Sequence, residues 1–197
     1  MRGPVRIETD AEVIEGSLRE PERFAVLYDR YHAVIHRYIA RRLGRDLADD
    51  LMAETFLIVF RQRERYDLTR SDARPWLYGV ATNLVAQHRR AEVRLWRLIG
   101  RTGVDEVVES PSDLIADRVS AQAARRELAA ALSRLPGGQR DVLLLTAAGG
   151  LSAEEIAEAL GIAKGTVHSR LNRARKKTRD ALGGIDPRDV RDEVIDE

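Results

Sequence analysis

Residues Gly150 to Leu182, GLSAEEIAEALGIAKGTVHSRLNRARKKTRDAL, read as two short helices joined by a tight turn. Ser152 can cap the first helix, and Glu155 three positions on completes a capping box. Ile156 and Leu160 form its apolar stripe. Gly161 ends it, because glycine enters the left-handed conformation without a Cβ clash. The second helix carries Val167, Leu171 and Ala174 on one face. Its other faces hold Arg170, Arg173, Arg175, Lys176, Lys177 and Arg179, with no acid from Lys164 to Arg179. This pattern is a helix-turn-helix whose second helix is built to lie against phosphates.

Working outward, the totals look neutral and mislead. The 197 residues hold 33 Lys and Arg against 32 Asp and Glu, a formal charge of +1, yet the charges are segregated along the chain. Basic residues crowd 89–101 and 164–179, and acids crowd the N-terminus, 105–117 and the last dozen positions. The absence of cysteine excludes a disulfide framework and a thiolate metal site or nucleophile. No apolar run approaches the roughly 20 residues of a membrane span, and no signal-peptide core is present, so a soluble, cytoplasmic protein is expected.

From the N-terminus, residues 1–20 are polar and acidic with little periodicity, and read as a loose arm with one short helix. From Pro21 the pattern sharpens. Phe24, Tyr28, Tyr31, Ile35 and Ile39 fall on one helical face, which Gly44 ends. Asp46 is placed to cap the next helix, about Leu47 to Gln62, with Leu51, Thr55, Phe56, Val59 and Phe60 as its stripe and acids in its first half. A polar loop, Asp67 to Arg74, leads to Pro75, which opens a third helix with Trp76, Leu77, Val80, Ala81 and Leu84 turned inward. That helix becomes basic as it proceeds, through Arg89, Arg90, Arg94, Arg97 and Arg101.

Residues 102–118, TGVDEVVESPSDLIADR, hold five acids before Arg118 and a Ser-Pro-Ser break, and read as a linker. A fourth main helix is expected over about 119–135, with Leu128, Leu132 and Leu135 in register. After Pro136-Gly137-Gly138 a fifth is expected from about Gln139 to Ala148. The tail 183–197 is acidic and reads as disordered. The fold class is therefore all-α: two small helical domains joined by an acidic linker, the second containing the helix-turn-helix. The divisions are an arm at 1–20, a first domain at 21–101, the linker at 102–118, a second domain at 119–182 and the tail at 183–197.

Three motifs in this order, DLADDLMAETFLIVF at 46–60, RPWLYGVATNLVAQHRR at 74–90 and the stretch from Leu151 to Leu182, make the chain resemble the extracytoplasmic-function sigma factors of bacterial RNA polymerase. The resemblance implies a role for each part. The first domain is implied to be sigma region 2 and the second sigma region 4. Asp49, Asp50, Leu51 and Glu54 fall in the motif that docks on the polymerase clamp helices. The loop Leu68 to Arg74 matches the one that captures a base flipped from the non-template strand at the minus-ten element. Arg70, Ser71, Asp72, Arg74, Asn83, Arg89 and Arg90 are the candidate contacts there. The linker is implied to thread toward the active-centre cleft. The second domain is implied to hold the flap tip and read the minus-thirty-five element.

Residues near the start of a recognition helix reach base edges, which makes Lys164, Thr166, His168 and Arg170 candidates. Arg173, Lys176 and Lys177 suit phosphates. Three positions depart from the family pattern: Ala53 where relatives often have glutamine, Ala163 where they often place a capping serine, and His168 in place of a frequent lysine. The expected partners are core RNA polymerase, promoter DNA both duplex and single-stranded, and an anti-sigma factor. Without a nucleophile, a glycine-rich phosphate loop or a motif histidine, neither catalysis nor a cofactor is expected. His32 and His36 are four apart on a helix but lack a third ligand nearby, so surface histidines are the better reading than a metal pair. Trp76, at the start of an apolar stripe, is read as core rather than as a base-stacking platform. The competing function is an ordinary helix-turn-helix regulator, which leaves residues 22–100 without a task. A helical adaptor is disfavoured by the acid-free basic helix.

Overall fold

A computed structural model describes residues 8–100 and 127–182, with side chains described over 8–91 and 127–182. The linker 102–118, the beginning of the expected fourth helix, the tail 183–197, and the side chains of Arg94, Arg97 and Arg101 lie outside the described residues. What is described is all-helical apart from turns and loops. The chain divides into two compact units, the first holding residues 8–100 and the second most of residues 127–182.

In the first unit, α1 spans Asp10–Ser17 and starts with a full capping box: the Glu12 N–H donates to Thr9 Oγ1 at 3.3 Å, and the Thr9 N–H to Glu12 Oε2 at 2.8 Å. Val13 and Ile14 on this helix are completely buried. The one short helix expected in the arm is present, but this part of the arm is not loose: the segment is short and acidic, yet its two adjacent aliphatics close one side of the core. A 3-10 turn, Pro21–Phe24, feeds α2 at Ala25–Leu43, which Gly44 ends at φ 87°. The buried face of α2 is Leu27, Ile35, Tyr38, Ile39 and Arg42. Tyr28 is exposed and Tyr31 half-buried, so the stripe is rotated by about one position from the expected one.

Helix α3, Ala48–Gln62, takes Leu47 as its N-cap with no side-chain bond, so Asp46 does not cap it. Residues 46 and 47 form a turn instead, and the helix dipole is met by Asp49 and Asp50 in the first turn. Leu51, Thr55, Phe56 and Val59 face inward as expected. Helix α4 runs unbroken over Arg74–Gly100. It buries Leu77, Tyr78, Ala81, Thr82, Leu84 and Val85 against α2 and α3. Tyr38 and Tyr78 meet edge to face at 5.2 Å, and Tyr38 and Thr82 share a hydroxyl hydrogen bond at 2.7 Å, which satisfies both polar groups inside the core.

In the second unit, α5 covers 127–133 within the described residues, followed by α6, Gly137–Ala147, α7, Ala153–Leu160, of which residues 153–157 belong to this unit, and α8, Lys164–Ala181. Helices α6 and α8 pack on each other, and Leu135, Val142, Leu144, Leu145, Val167 and Ala174 are buried. Leu128, by contrast, is exposed. The Ser152–Glu155 capping box forms in both directions, at 2.6 and 3.2 Å. Gly161 sits at φ 62°, with its N–H on the Glu158 carbonyl and the Ile162 N–H on that of Ala157. That pair of bonds is a Schellman ending, and it turns the chain directly into α8. Helix α8 begins at N-cap Ala163 with no side-chain cap, and the missing bond costs about 1 kcal/mol.

Candidate polymerase and promoter interfaces

The first charged surface lies on α3. Asp50 and Glu54 are exposed and four residues apart, hence on one helical face. Asp49 is exposed as well, and its Oδ1 lies 3.2 Å from His36 Nε2. His32 stacks on Tyr28 at 5.1 Å, and its Nδ1 lies 3.0 Å from the Tyr28 carbonyl, so the two histidines engage different partners. Leu51 faces inward, as its place in the apolar stripe predicts. It is only 8% exposed, because the 51–55–59 spacing turns it toward the core, and it supports the acidic face from beneath rather than forming part of it.

The second surface is the loop before α4. Asp67 organises its first half: Asp67 Oδ1 accepts from the Thr69 hydroxyl at 2.6 Å and the Thr69 N–H at 3.1 Å, and Oδ2 accepts from Arg70 Nε at 3.1 Å. Those bonds, the Thr69 hydroxyl first, hold the Asp67 carboxyl below its usual range. The Tyr66 hydroxyl donates to the Arg70 carbonyl at 2.9 Å, and its ring packs on Trp76 at 5.0 Å. Burial, with the charges of Asp10 and Asp72 adding to it, pushes the Tyr66 hydroxyl up to about 12. Trp76 is thus half-buried, as the wall beneath the loop.

Asp72 closes the loop by capping α4, accepting from the Arg74 N–H at 2.9 Å and Arg74 Nε at 2.8 Å. Burial pulls the Asp72 carboxyl up, but the Arg74 bonds outweigh it, and the group stays below the ordinary carboxylate range. Leu68, Thr69, Arg70 and Ser71 remain exposed at the tip. Asn83 and Arg90 are exposed on α4. Arg89 is not placed as expected: it is half-buried and donates Nη2 to the Arg42 carbonyl at the end of α2. A guanidinium satisfying a helix C-terminus is a structural tie.

The third surface is α8. Val167, Ala174 and Thr178 are buried, and Lys164, His168, Arg173, Arg175, Lys176, Lys177 and Arg179 are exposed. Lys164 pairs with Glu154 of α7, and its hydrogen bond holds the Glu154 carboxyl below its ordinary range. Thr166 is half-buried. Arg170 departs from expectation. It falls three residues after Val167 and four before Ala174, on the inner edge of the helix, and it is half-buried. Its guanidinium lies over Gly138, where an added Cβ would come within 2.8 Å of Nη1. Ser169 and Asn172, exposed between His168 and Arg173, were passed over in the sequence because they carry no charge. The 3.6-residue period locates them: both fall opposite the buried Val167 and Ala174.

Comparison with known proteins bears on all three surfaces. Residues 27–95 match the model of Sigma-70 region 2, and residues 125–178 that of Sigma-70, region 4. The ECF RNA polymerase sigma factor SigL of Mycobacterium tuberculosis is 34% identical over 177 residues, covering 88% of this chain and 98% of SigL. The chain belongs to the ECF sigma factors. It is an RNA polymerase sigma factor for transcription initiation, a non-catalytic subunit of the sigma-70 family. Among solved structures it is similar to CnrH in complex with the cytosolic domain of CnrY, at 26% identity and TM-score 0.60 over 88% of this chain and 94% of that one. It also shares the fold of the sigma factor RpoE, solved with the anti-sigma factor NepR from Bartonella quintana, at 22% identity and TM-score 0.63 over 81% of this chain and 96% of that one. For this ECF sigma factor, no helix among the described residues is long and apolar enough to cross a membrane.

Proposed function

We propose that this sigma factor grips its targets at two points joined by the 102–118 linker, working in the cytoplasm. The observation that carries the reading is the sorting of charge by unit: α3 in the first unit exposes Asp49, Asp50 and Glu54, and α8 in the second exposes a cationic face. The acids of α3 dock on a basic polymerase surface, the clamp helices. Arg70, Ser71 and the loop around them, with Asn83 and Arg90, receive the single strand of the minus-ten element, while Asp72 and Arg74 shape the pocket. His168, Ser169 and Asn172 face base edges of the minus-thirty-five duplex. Arg173, Lys176 and Lys177 neutralise phosphates, which sets affinity and its salt dependence without reading sequence. The linker spans the two grips, and tethering raises the effective concentration of α8 at the promoter. An anti-sigma factor is the further partner, as RpoE has in NepR; exposed Leu57 beside the acids of α3 gives such a partner an apolar foothold.

The test is co-elution with core RNA polymerase followed by promoter-dependent transcription; a chain that bound promoter DNA but not core would defeat the reading. Within it, His168→Ala or Asn172→Ala should change discrimination among minus-thirty-five sequences by about tenfold, the worth of one good base contact. Arg170→Ala should leave that discrimination within about twofold, because its side chain packs inward. Competition binding of α8-site duplexes to the holoenzyme measures both.

A further inference from the structure

The strand-receiving loop is held by a residue far from it in sequence. Asp10, the first residue of α1, is 4% exposed, and three donors converge on its carboxylate. Arg30 Nη1 lies 2.8 Å from Oδ1; the Tyr31 hydroxyl at 2.6 Å and the Ala73 N–H at 2.8 Å share Oδ2. The Asp10 N–H in turn donates to the Ser71 carbonyl at 3.1 Å. Arg30 also reaches the Glu8 carbonyl at 2.9 Å, which fastens the chain on the other side of Asp10.

Burying a carboxylate this deeply is costly unless it is paired and hydrogen-bonded throughout. Sealing the core does not require one, since Val13 and Ile14 on the same helix already do so. What the carboxylate adds is register. It takes the Ala73 N–H while the Asp10 main-chain N–H holds the Ser71 carbonyl, so residue 10 brackets Asp72 and fixes where the exposed tip ends and the helix begins. The tip itself, Leu68 to Ser71, makes little packing contact and depends on such bonds for its shape.

We propose that Asp10 is a positioning residue for minus-ten strand capture: α1 holds the backbone of Ser71 to Ala73 in its receiving conformation before DNA arrives. This rests on the reading of the loop as the single-strand site. A loop ordered in advance does not lose that freedom on binding, so the gain appears as affinity for the strand and rate of melting.

The experiment uses full-length protein assembled with core RNA polymerase and a fluorescent single-stranded minus-ten oligonucleotide. Asp10→Ala should weaken oligonucleotide binding on the order of tenfold while core affinity stays within about twofold. Asp10→Asn, which keeps one acceptor oxygen, should recover part of that loss and guards against an alanine variant that fails to fold. Helicity and thermal unfolding of each variant are recorded alongside. Equal oligonucleotide affinity for wild type and folded variants overturns the proposal alone. Parallel loss of core binding also overturns it, reducing Asp10 to a fold element. A wild-type holoenzyme that held no oligonucleotide would remove the loop reading and the proposal together.

Discussion

Replacing Arg140 by alanine should destabilise the second unit by about 2–3 kcal/mol, a large share of the stability of so small a unit. Arg140 is 8% exposed and forks onto the chain that ends α5: Nε donates to the Leu132 carbonyl at 2.7 Å, and Nη2 to those of Leu135 at 2.9 Å and Ser133. The last carbonyls of any helix lack intrahelical partners, and here one guanidinium supplies them across the Pro136 break. Alanine removes the donors and leaves the buried Leu135 carbonyl without the guanidinium, which costs more than that bond itself contributed, while the Leu132 carbonyl keeps the Leu135 N–H. Arg140→Lys should recover less than half, since an ammonium is a point donor and cannot reproduce the planar fork. Thermal unfolding of the full chain followed by circular dichroism checks this through the transition of the second unit. A loss under about 1 kcal/mol would mean that water replaces the guanidinium without difficulty.

Arg140 also shows where reading the sequence reaches its limit. The helices of both units were legible because a 3.6-residue period, Gly44, Gly161 and the Ser152–Glu155 box are local signals. Their physics is complete within a few residues. Arg140 reads as one more charge among 33 basic and 32 acidic residues, and only the fold reveals that its partners lie five to eight residues back. Asp10 is the stronger case, its donors being 20, 21 and 63 residues away. Even so, a clue is present: Thr9 and Glu12 repeat the capping-box spacing of Ser152 and Glu155, and mark where the short helix expected in the arm begins.

The candidate sites divide in the same way. Exposed acids on α3 and cations on α8 were legible, because charge near a helix surface announces itself. Arg89 and Arg170 are half-buried where motif membership alone would expose them, because register decides which way each side chain turns. Position 170 falls between the buried 167 and 174 of α8, and an arginine can lie inward when a glycine such as Gly138 leaves space for its planar head. Register was the better guide at each of these positions, and it also exposed Ser169 and Asn172.

Reversing charge on α3 should have the largest functional effect. The double substitution Asp50→Lys with Glu54→Lys is expected to weaken binding to core RNA polymerase by about two orders of magnitude. Both residues are exposed, one turn apart, on a face whose underlying Leu51, Thr55 and Val59 are buried and untouched by the change. Folding should therefore survive, with only a modest penalty from a cation near the positive end of the α3 dipole. Against a basic partner each substitution turns an attraction into a repulsion, and like charges brought together at an interface are strongly unfavourable. Asp49→Ala should act more weakly, since that carboxylate is already engaged by His36. Fluorescence titration of labelled core against each variant measures the loss, with affinity for minus-thirty-five duplex DNA as the internal control. That control should hold steady or tighten slightly as the molecule becomes more cationic. If core affinity stayed within about threefold of wild type while the double variant remained folded, α3 would not be the docking helix, and the search would pass to the exposed apolar positions Leu57 and Tyr28.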